Sequence, residues 1–424
     1  MSDEFVIVGA GAAGLMAARE LARAGKTVTL IEARDRCGGR IETLPAAAFG
    51  YAAEGGAEFV HGAASHTRAV MQEAGLSFTP SSGTAWYAAD GVLSVDERAM
   101  PHADEFRQAL SVLEHDLTVA EFLARHFADS RYAELRRSVT RMVEGYDAAD
   151  PGRASTFALR DEWMGRGLGQ QGRIAEGYGA LIAFLLTECR RHGVAVHFGA
   201  VVGAIEVDDR QVAVRCRDGR SFAVDGAVLA VPLPLLRGIE LPGPARANAA
   251  AAVADIGFGN VVKILLRFSR NWWAAHAGQD LADMSFLFSS AAVPTWWTQH
   301  PSPYPVLTGW LAGPRADAVA TLSSDQLIER ALGSLAQNFA VSRDWLKDLL
   351  VAARAINWGA DPFAGGAYSY ATPHTPQALA RFDRADSKLW FSGEAFYTGP
   401  EMGTVEAALA SGWQTAQNIR SRGA

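Results

Sequence analysis

Hydrophobic positions at the start of the chain predict a strand, a helix and a second strand in close succession. Residues 5–8 form a short, continuous apolar run, which is typical of a strand buried in a parallel sheet. Residues 15–24 carry apolar side chains at helical spacing, and Gly25 ends that segment. A further apolar run over residues 27–31 predicts the second strand. This order is typical of a βαβ unit.

Four apolar runs in the middle of the chain predict successive strands. They cover residues 194–198, 201–207, 212–216 and 222–231. Pro232 and Pro234 end the last of these runs. Towards the far end, residues 389–391 predict a strand that enters a glycine turn, and residues 403–413 predict a helix. The combination of strands and helices indicates an α/β fold.

The composition excludes several classes of protein. The chain has 424 residues, of which 49% are hydrophobic and 20% are charged, and these are ordinary values for a globular protein. A chain with this composition can form a core, so we do not expect it to be disordered. Its formal net charge is −7, and an acidic balance argues against a nucleic-acid partner and against an anionic membrane surface.

The cysteines indicate a reducing compartment. Cys37, Cys189 and Cys216 form no CxxC pair, and their odd number argues against a disulfide framework. The first residues are acidic and lead directly into an apolar strand, unlike those of a signal peptide. No stretch reaches the roughly 18 unbroken apolar residues of a membrane span. We therefore expect a cytoplasmic protein that does not enter the membrane.

The turn after the first predicted strand has the glycine spacing of a dinucleotide site. Gly9 permits a tight turn, Gly11 lets the backbone approach a pyrophosphate, and Gly14 lets the helix pack closely on the sheet. The N-terminus of the helix offers free N–H groups and the positive end of its dipole to the phosphates. Glu32 ends the second strand, where its carboxylate would accept hydrogen bonds from an adenosine ribose.

Two other motif matches lack the context that their chemistry needs. Residues 167–172 repeat the GxGxxG spacing, but no strand is predicted before them, so we expect a flexible loop. The Gly25-Lys26-Thr27 segment matches the end of a P-loop, but Glu20 stands where that motif requires glycine. No HExxH, CxxC or other metal-ligand spacing is found, so no metal is expected.

Several segments together resemble the flavin amine oxidase superfamily, which includes monoamine oxidases, polyamine oxidases and flavin histone demethylases. These segments are Gly38-Gly39-Arg40, Gly55-Gly56-Ala57-Glu58, the strand around Lys263, residues 358–370, and residues 389–413 with Gly393-Glu394. The matching motifs are spread over nearly the whole chain. From the residues alone, Arg34, Arg36 and Arg40 are equally consistent with a solvated basic loop.

The resemblance implies that the cofactor is FAD. In the family, the segment matching Gly39 and Arg40 lies along the pyrophosphate, and the segment matching Gly56 lies against the flavin ring. The valine matching Val202 packs on adenine, and the acid matching Glu394 holds a ribityl hydroxyl. The implied cofactor-binding residues are Gly9, Gly11, Ala13, Gly14, Glu32, Ala33, Arg34, Gly39, Arg40, Gly56, Ala57, Glu58, Val202, Gly393, Glu394, Thr404 and Val405.

The resemblance also implies a domain organisation in which both ends of the chain belong to one domain. We expect a discontinuous, Rossmann-like FAD-binding domain from residues 1–80, 190–240 and 385–424. Residues 81–189 and 241–384 would form a substrate-binding domain with a mixed sheet flanked by helices. The expected fold is α/β, or α+β for the chain as a whole.

Five residues are expected to carry the chemistry. Lys263 lies in an apolar strand, where a lysine is either a charge on an edge strand or a buried functional group. In the family, the matching lysine holds a water against flavin N5. By the same resemblance, Trp358 and Tyr368 line the space before the flavin, although such aromatics can also be plain core. His61 would face the substrate tunnel, and Thr404 would begin a helix that points at the isoalloxazine.

Two departures from the family refine the expected function. Monoamine oxidases carry a cysteine bonded to FAD where this chain has Ala367, so we expect non-covalent FAD. They also carry a second cage tyrosine where this chain has Thr404. The His61-Gly62 pair matches polyamine oxidases of animal and fungal type.

The expected activity is that of an FAD-dependent amine oxidase acting on a polyamine or another primary or secondary amine. Hydride transfer from the amine α-carbon to flavin N5 would give an imine, which water hydrolyses, and reoxidation by O2 would give hydrogen peroxide. Three alternatives stay open. They are an L-amino-acid oxidase that would need an arginine such as Arg315, a flavin desaturase or porphyrinogen oxidase, and a non-catalytic flavin-binding protein.

Overall fold

The computed structural model describes residues 3–95, 100–164, 171–382 and 388–422. The first strand (Glu4–Val8), first helix (Ala12–Arg23) and second strand (Thr27–Ile31) follow in the predicted order. The two strands belong to a parallel sheet, which brings the beginning, the middle and the far end of the chain together. Its strand order is Leu389–Phe391, Gly226–Leu229, Glu4–Val8, Thr27–Ile31 and Ala195–His197.

Helices cover the parallel sheet and form a core with it. The C-terminal helix (Val405–Arg422) packs on the first helix so closely that a Cβ atom at Gly412 would lie 2.3 Å from the Ala13 carbonyl oxygen. The helix Tyr178–Arg191 contributes buried leucines to the same core. The expected domain boundary at residues 189–190 therefore falls inside a helix that belongs to the core of the parallel sheet.

One predicted strand is wrong. Residues 222–231 form two strands, because the chain leaves one sheet after Ser221–Val224 and enters the parallel sheet at Gly226–Leu229. The first of these strands belongs to an antiparallel sheet with Val202–Val207 and Val212–Cys216. The Asp225-Gly226 pair at the break is a turn signal inside an otherwise apolar run.

The second large layer is a mostly antiparallel sheet. Its strand order is Leu350–Asn357, Val261–Phe268, Val306–Ala312, Thr295–Trp297, Met284–Ser289, Thr84–Ala89 and Val92–Ser94. The lysine strand (Val261–Phe268) is paired on both sides. Lys263 is therefore not a charge on an edge strand, and that alternative is wrong.

The remaining elements connect and cover the two layers. Short strands pair Thr43–Leu44 with Ala53–Glu54, Phe78–Pro80 with Gly172–Ile174, Gly257–Gly259 with Tyr368–Tyr370, and Ala275–His276 with Gln279–Asp280. Further helices lie at Ala46–Phe49, Ser65–Ala74, Ala103–Ser111, Val119–His126, Ala133–Gly145, Thr156–Met164, Gly243–Asp255, Pro314–Asp317, Ser324–Asn338, Arg343–Leu349 and Thr375–Leu379. Short 3-10 helices lie at Ser130–Tyr132, Leu233–Gly238, Trp358–Ala360 and Glu394–Phe396.

Two further expectations concern the loop at residues 167–172 and the absence of a membrane-spanning helix. Of the predicted flexible loop at 167–172, residues 167–170 lie outside the described residues, and Gly172 begins a short strand. In the described part of the chain, no helix has both the length and the apolar character needed to cross a bilayer.

Candidate functional site

The glycine turn after the first strand has the geometry that a diphosphate needs. Gly9 adopts a φ of +102°, and a Cβ atom there would lie 2.7 Å from the Ala230 carbonyl oxygen. A Cβ atom at Gly14 would lie 1.8 Å from the Gly9 carbonyl oxygen, so only glycine lets the first helix approach the turn. A Cβ atom at Gly11 would meet no atom within 4 Å, and this residue lines a large cavity. The open space over the helix N-terminus fits a dinucleotide diphosphate.

The acid at the end of the second strand lies beside this turn. Glu32 is 6% exposed, and its Oε2 accepts a hydrogen bond of 2.8 Å from the Ala10 backbone N–H. Its Oε1 accepts a hydrogen bond of 2.9 Å from the Arg34 backbone N–H. Both oxygens keep a further lone pair for ribose hydroxyls. Glu32, Ala33 and Val202 line the same cavity as the glycine turn.

The arginines after the second strand are paired, so the alternative of a solvated basic loop does not describe them. Arg34 forms an ion pair with Asp361, with 2.7 Å between Nη2 and Oδ1. Arg36 donates to backbone carbonyls, including that of Ile41 at 3.0 Å. Arg40 lies 2.7 Å from the buried carboxylate of Glu394. The contacts of Arg34 and Arg40 join the N-terminal turn region to residues more than 300 positions away.

The segment around Gly56 lies against the aromatic part of the cavity. A Cβ atom at Gly56 would lie 1.9 Å from the Arg40 carbonyl oxygen and 3.2 Å from the Trp358 ring. Trp358 is buried, and its indole N–H donates a hydrogen bond of 3.2 Å to the Gly55 carbonyl oxygen. The indole is therefore held in one orientation, and it lines the cavity together with Gly56 and Ala57.

Lys263 is the most deeply buried charged residue of the site. Only 1% of it is exposed, and its Nζ donates hydrogen bonds to Glu58 Oε2 at 2.7 Å and to the Gly56 carbonyl oxygen at 3.0 Å. The Nζ also lies 5.4 Å from the centre of the Trp297 ring, within the range of a cation–π contact. The lysine strand thus places an ammonium group at the cavity wall, beside the Gly56 segment.

Glu58 is bonded to protein donors, although the resemblance places it among the cofactor-binding residues. Its Oε1 accepts hydrogen bonds from Arg173 Nε at 2.8 Å, Trp297 Nε1 at 3.0 Å and Gln299 Nε2 at 3.1 Å. Burial acts to raise the pKa of this carboxyl. The positive charges of Lys263 and Arg173 outweigh burial and lower the pKa to about 2. Glu58 is therefore a carboxylate at physiological pH.

His61 lies at the cavity wall between two aromatic rings. Its ring centre is 6.0 Å from those of Phe59 and Tyr146. Burial lowers the pKa of His61 to about 4, although a hydrogen bond with Gln171 acts in the opposite direction. The imidazole is therefore neutral at physiological pH, and a neutral imidazole can accept a proton.

Tyr368 and Thr404 meet at the start of the C-terminal helix. The Tyr368 hydroxyl donates a hydrogen bond of 2.7 Å to the Tyr146 carbonyl oxygen, which fixes the phenol at the cavity wall. Thr404 caps the helix, because its Oγ1 accepts a hydrogen bond of 3.1 Å from the Ala407 backbone N–H. The helix starts at Val405, and both Thr404 and Val405 line the cavity.

Sequence reasoning missed several residues in or beside the cavity wall. Arg173, Trp297 and Gln299 hold Glu58, and no local pattern marks them for that role. Asp147 and Glu162 both line the cavity as well. Burial raises the pKa of both carboxyls, and the neighbouring Glu162 raises that of Asp147 further. A raised pKa in a cavity is a signal of function that appears only once the fold is known.

One continuous cavity of about 3080 Å³ joins the glycine turn to the aromatic region. Its wall includes Gly11, Glu32, Lys263, Tyr368 and Thr404, from both large layers of the protein. Pockets for small ligands usually measure about 300–1,000 Å³, so this cavity has room for a dinucleotide and a substrate together. Within the described ranges, no group of three or more His, Cys, Asp or Glu side chains is arranged to hold a metal ion.

Comparisons with known proteins agree with this geometry. The profile of the family described as "Flavin containing amine oxidoreductase" matches residues 12–420. Polyamine oxidase 4 of Oryza sativa subsp. japonica is 25% identical over 449 residues, which cover 98% of this chain and 88% of that protein. Polyamine oxidase 2 of Arabidopsis thaliana is 28% identical over 460 residues, which cover 99% and 89% of the two chains.

A comparison with solved structures finds proteins of similar fold. The solved structure of the cyclohexylamine oxidase from Brevibacterium oxydans IH-35A superimposes with a TM-score of 0.82 at 21% identity. The match covers 100% of this chain and 99% of the other. The similarity of fold therefore extends over both large layers of the chain.

Proposed function

The chain belongs to the family of flavin containing amine oxidoreductases, and we propose that it oxidises a polyamine or a related amine and passes the electrons to O2. Its cofactor is FAD. The observation that carries the proposal is the position of Lys263. A buried ammonium group stands at the wall of a cavity that also contains the glycine turn, Glu32 and the aromatic side chains of Trp358 and Tyr368.

The residues around the glycine turn would hold the adenosine and diphosphate of FAD. Gly11 would face the diphosphate, Glu32 the ribose and Val202 the adenine, while Gly56 and Thr404 would face the flavin. When bound, FAD supplies the redox chemistry by accepting a hydride from the carbon beside the amine nitrogen and returning the electrons to O2. The protein contributes binding, orientation and control of protons.

We propose that FAD is held without a covalent bond. The three cysteines all lie in the described ranges, and none of them lines the cavity. Ala367, at the position where monoamine oxidases carry the bonded cysteine, is part of the cavity wall. All three cysteines are free thiols, which also supports a reducing, cytoplasmic location.

The cavity wall suits an amine that must lose a proton before it reacts. Because its pKa is about 4, His61 is a neutral acceptor near the aromatic region. Tyr368, Tyr146 and Trp310 present aromatic surfaces to the same space, and such surfaces attract a cation or an amine nitrogen. These residues would hold the reacting nitrogen in its neutral form before the flavin.

A second charged end of the substrate would lie near Asp147 and Glu162. Burial raises the pKa of both carboxyls, and Glu162 raises that of Asp147 further, whereas a hydrogen bond with Asp147 lowers that of Glu162. An ammonium group beside this pair would stabilise its ionised form. A diamine or polyamine satisfies both regions of the cavity at once, whereas a monoamine satisfies only the aromatic region.

The alternatives receive less support. An L-amino-acid oxidase would need an arginine aimed at the substrate carboxylate. Arg315 lines the cavity, but its Nε lies 3.5 Å from Glu144. A flavin desaturase would have no use for the buried ammonium of Lys263. A non-catalytic flavin protein would have no need of the neutral imidazole of His61.

The experiment that tests the function is anaerobic mixing of the purified yellow protein with candidate substrates. Polyamines, monoamines and L-amino acids are added separately, and the loss of the visible flavin absorbance is followed. Fast bleaching by polyamines or other amines, followed by recovery with O2 and release of hydrogen peroxide, is the expected result. Bleaching by L-amino acids alone would favour the first alternative, and no bleaching at all would favour a non-catalytic protein.

A further inference from the structure

Glu58 divides its two carboxylate oxygens between different partners. Three donors, from Arg173, Trp297 and Gln299, converge on Oε1 at 2.8–3.1 Å. Lys263 alone donates to Oε2, at 2.7 Å. Glu58 is 7% exposed, so solvent cannot replace these donors. The carboxylate is fixed on one side and presents its other oxygen to the lysine.

The N–H donors of Lys263 are in turn divided between the protein and the cavity. An ammonium group has three N–H donors. Glu58 and the Gly56 carbonyl oxygen take two of them. The side chain lines the cavity, so the third donor is left for a group in that space. This arrangement makes the lysine a donor with a fixed direction.

The charges around this pair explain why the lysine needs Glu58. The buried Lys263 and the part-buried guanidinium of Arg173 are two positive groups that bind different oxygens of one carboxylate. Of the other titratable groups nearby, burial raises the pKa of Glu54 to about 7 and raises that of Tyr51 well above its ordinary value. At pH values below about 7, Glu58 is therefore the counter-charge for both cations.

We propose that Glu58 is a positioning residue that keeps Lys263 charged and aimed into the cavity. Lys263 then acts as a permanent hydrogen-bond donor and positive charge, not as a group that releases and regains a proton during turnover. The role of this donor in catalysis depends on the proposed amine oxidation, but the charge state of the lysine does not. A lysine can lose its proton when its counter-ion is removed, whereas an arginine cannot.

The chain allows a direct measurement, because it has only four lysines: Lys26, Lys263, Lys347 and Lys388. Labelling with lysine that carries 13C at Cε gives one side-chain NMR signal for each. The signal that disappears in K263M belongs to Lys263. In the FAD-bound wild type at neutral pH, we expect this signal at the ammonium position.

In E58Q, we expect the Lys263 signal to move to the neutral-amine position at the same pH, while the other three signals follow the wild type. E58D retains the negative charge and should keep the signal at the ammonium position. E188Q is the matched control, since Glu188 is a buried carboxylate that pairs with Arg191, not with Lys263. A Lys263 signal in E58Q that stays at the wild-type position would overturn the proposal, as would a neutral Lys263 in the wild type.

Folding of E58Q is itself informative. If E58Q does not accumulate as folded protein, the variants R173M/E58Q and R173M/K263M/E58Q decide, because Glu58 is the counter-charge of both cations. Recovery of folded, FAD-binding protein only when Lys263 is removed as well is the expected result, and equal yields of the two variants would contradict the proposal. In active protein, E58Q should also give the rate of flavin reduction a new pH dependence that E188Q lacks. A protein that no amine reduces would refute the proposed function and leave the lysine titration readable.

Discussion

Arg40 and Glu394 are 354 positions apart in the sequence, yet their side chains form an ion pair at the wall of the cavity. The same Nη1 atom of Arg40 donates a hydrogen bond of 2.7 Å to the Ala367 carbonyl oxygen. The carboxylate of Glu394 also accepts hydrogen bonds from the backbone and hydroxyl groups of Ser369. One guanidinium therefore ties the N-terminal turn region to two distant segments of the cavity wall.

Removing this guanidinium should weaken both the fold and FAD binding. In R40M the buried carboxylate of Glu394 loses its counter-charge, and we expect the free energy of unfolding to fall by about 2–3 kcal/mol. Chemical denaturation and titration with FAD measure the two effects. R215M is the matched control, because the Arg215–Glu206 pair is exposed on both sides and should contribute less than about 1 kcal/mol. Equal losses in the two variants would contradict the structural role of Arg40.

Loss of the buried ammonium should slow flavin reduction without releasing FAD. In K263M the side chain keeps most of its length but has no charge and no donor, and we expect the rate to fall by about 100-fold. Stopped-flow absorbance under anaerobic conditions measures this rate, and the bound flavin spectrum reports retention. K347M removes an exposed lysine that pairs with Glu329, and it should leave the rate unchanged. A wild-type rate in K263M would exclude a catalytic role for Lys263.

His61 should influence the reaction as a neutral group over most of the pH range. Its pKa is about 4, since burial disfavours the imidazolium. The ratio of wild-type to H61Q activity should therefore be constant from about pH 5 to about pH 8 and change only as the pH approaches 4. Steady-state kinetics at constant ionic strength test this expectation. A ratio that changes near pH 6.5 would mean that the imidazole titrates as if it were in water.

The carboxyls of Asp147 and Glu162 should distinguish diamines from monoamines. We expect E162Q and D147N each to lower kcat/KM for a diamine by about tenfold, because each removes a carboxyl that a second ammonium group would stabilise in its ionised form. The kcat/KM for a monoamine should change much less. D325N alters an exposed carboxyl on the helix Ser324–Asn338, away from the cavity wall, and should affect neither substrate. Equal losses for both substrates would contradict a subsite for a second cation.

The ionisation of Glu54 should be visible in the way that the free energy of unfolding changes with pH. Burial raises its pKa in the folded protein from 4.5 to about 7, so the unfolded chain releases this proton first. Stability should therefore fall as the pH rises from about 4.5 to about 7, by roughly 3 kcal/mol, and should stay reduced above that range. E54Q should match the wild type near pH 4 and exceed it in stability near pH 8. Thermal unfolding across this range provides the measurement, and parallel curves would refute the assignment.

The first strand, glycine turn, helix and second strand were predictable from the sequence because the signals for them are local. The apolar runs, the glycine spacing and Glu32 all lie within the first 32 residues, and each restricts the backbone directly. The break at Asp225 escaped prediction because apolar residues continue on both sides of it. The interior position of the lysine strand could not be derived either, since one strand does not reveal how many neighbours it has.

The pairing of Lys263 with Glu58 could not be predicted from the sequence. The two residues are 205 positions apart, and the four further donors and acceptors around them come from different strands and loops. No periodicity relates them, so only the packed structure brings them together. The resemblance to a family placed both residues near the flavin, but it did not pair them.

The order of strands in the parallel sheet has a consequence for biosynthesis. The first strand is synthesised before its neighbour Gly226–Leu229 and long before the strand Leu389–Phe391 beyond it. The C-terminal helix, which closes over the first helix at Gly412, is made later still. The first strand must therefore wait with an unpaired sheet edge until these later segments are made. We expect the dinucleotide site to be complete only after that point.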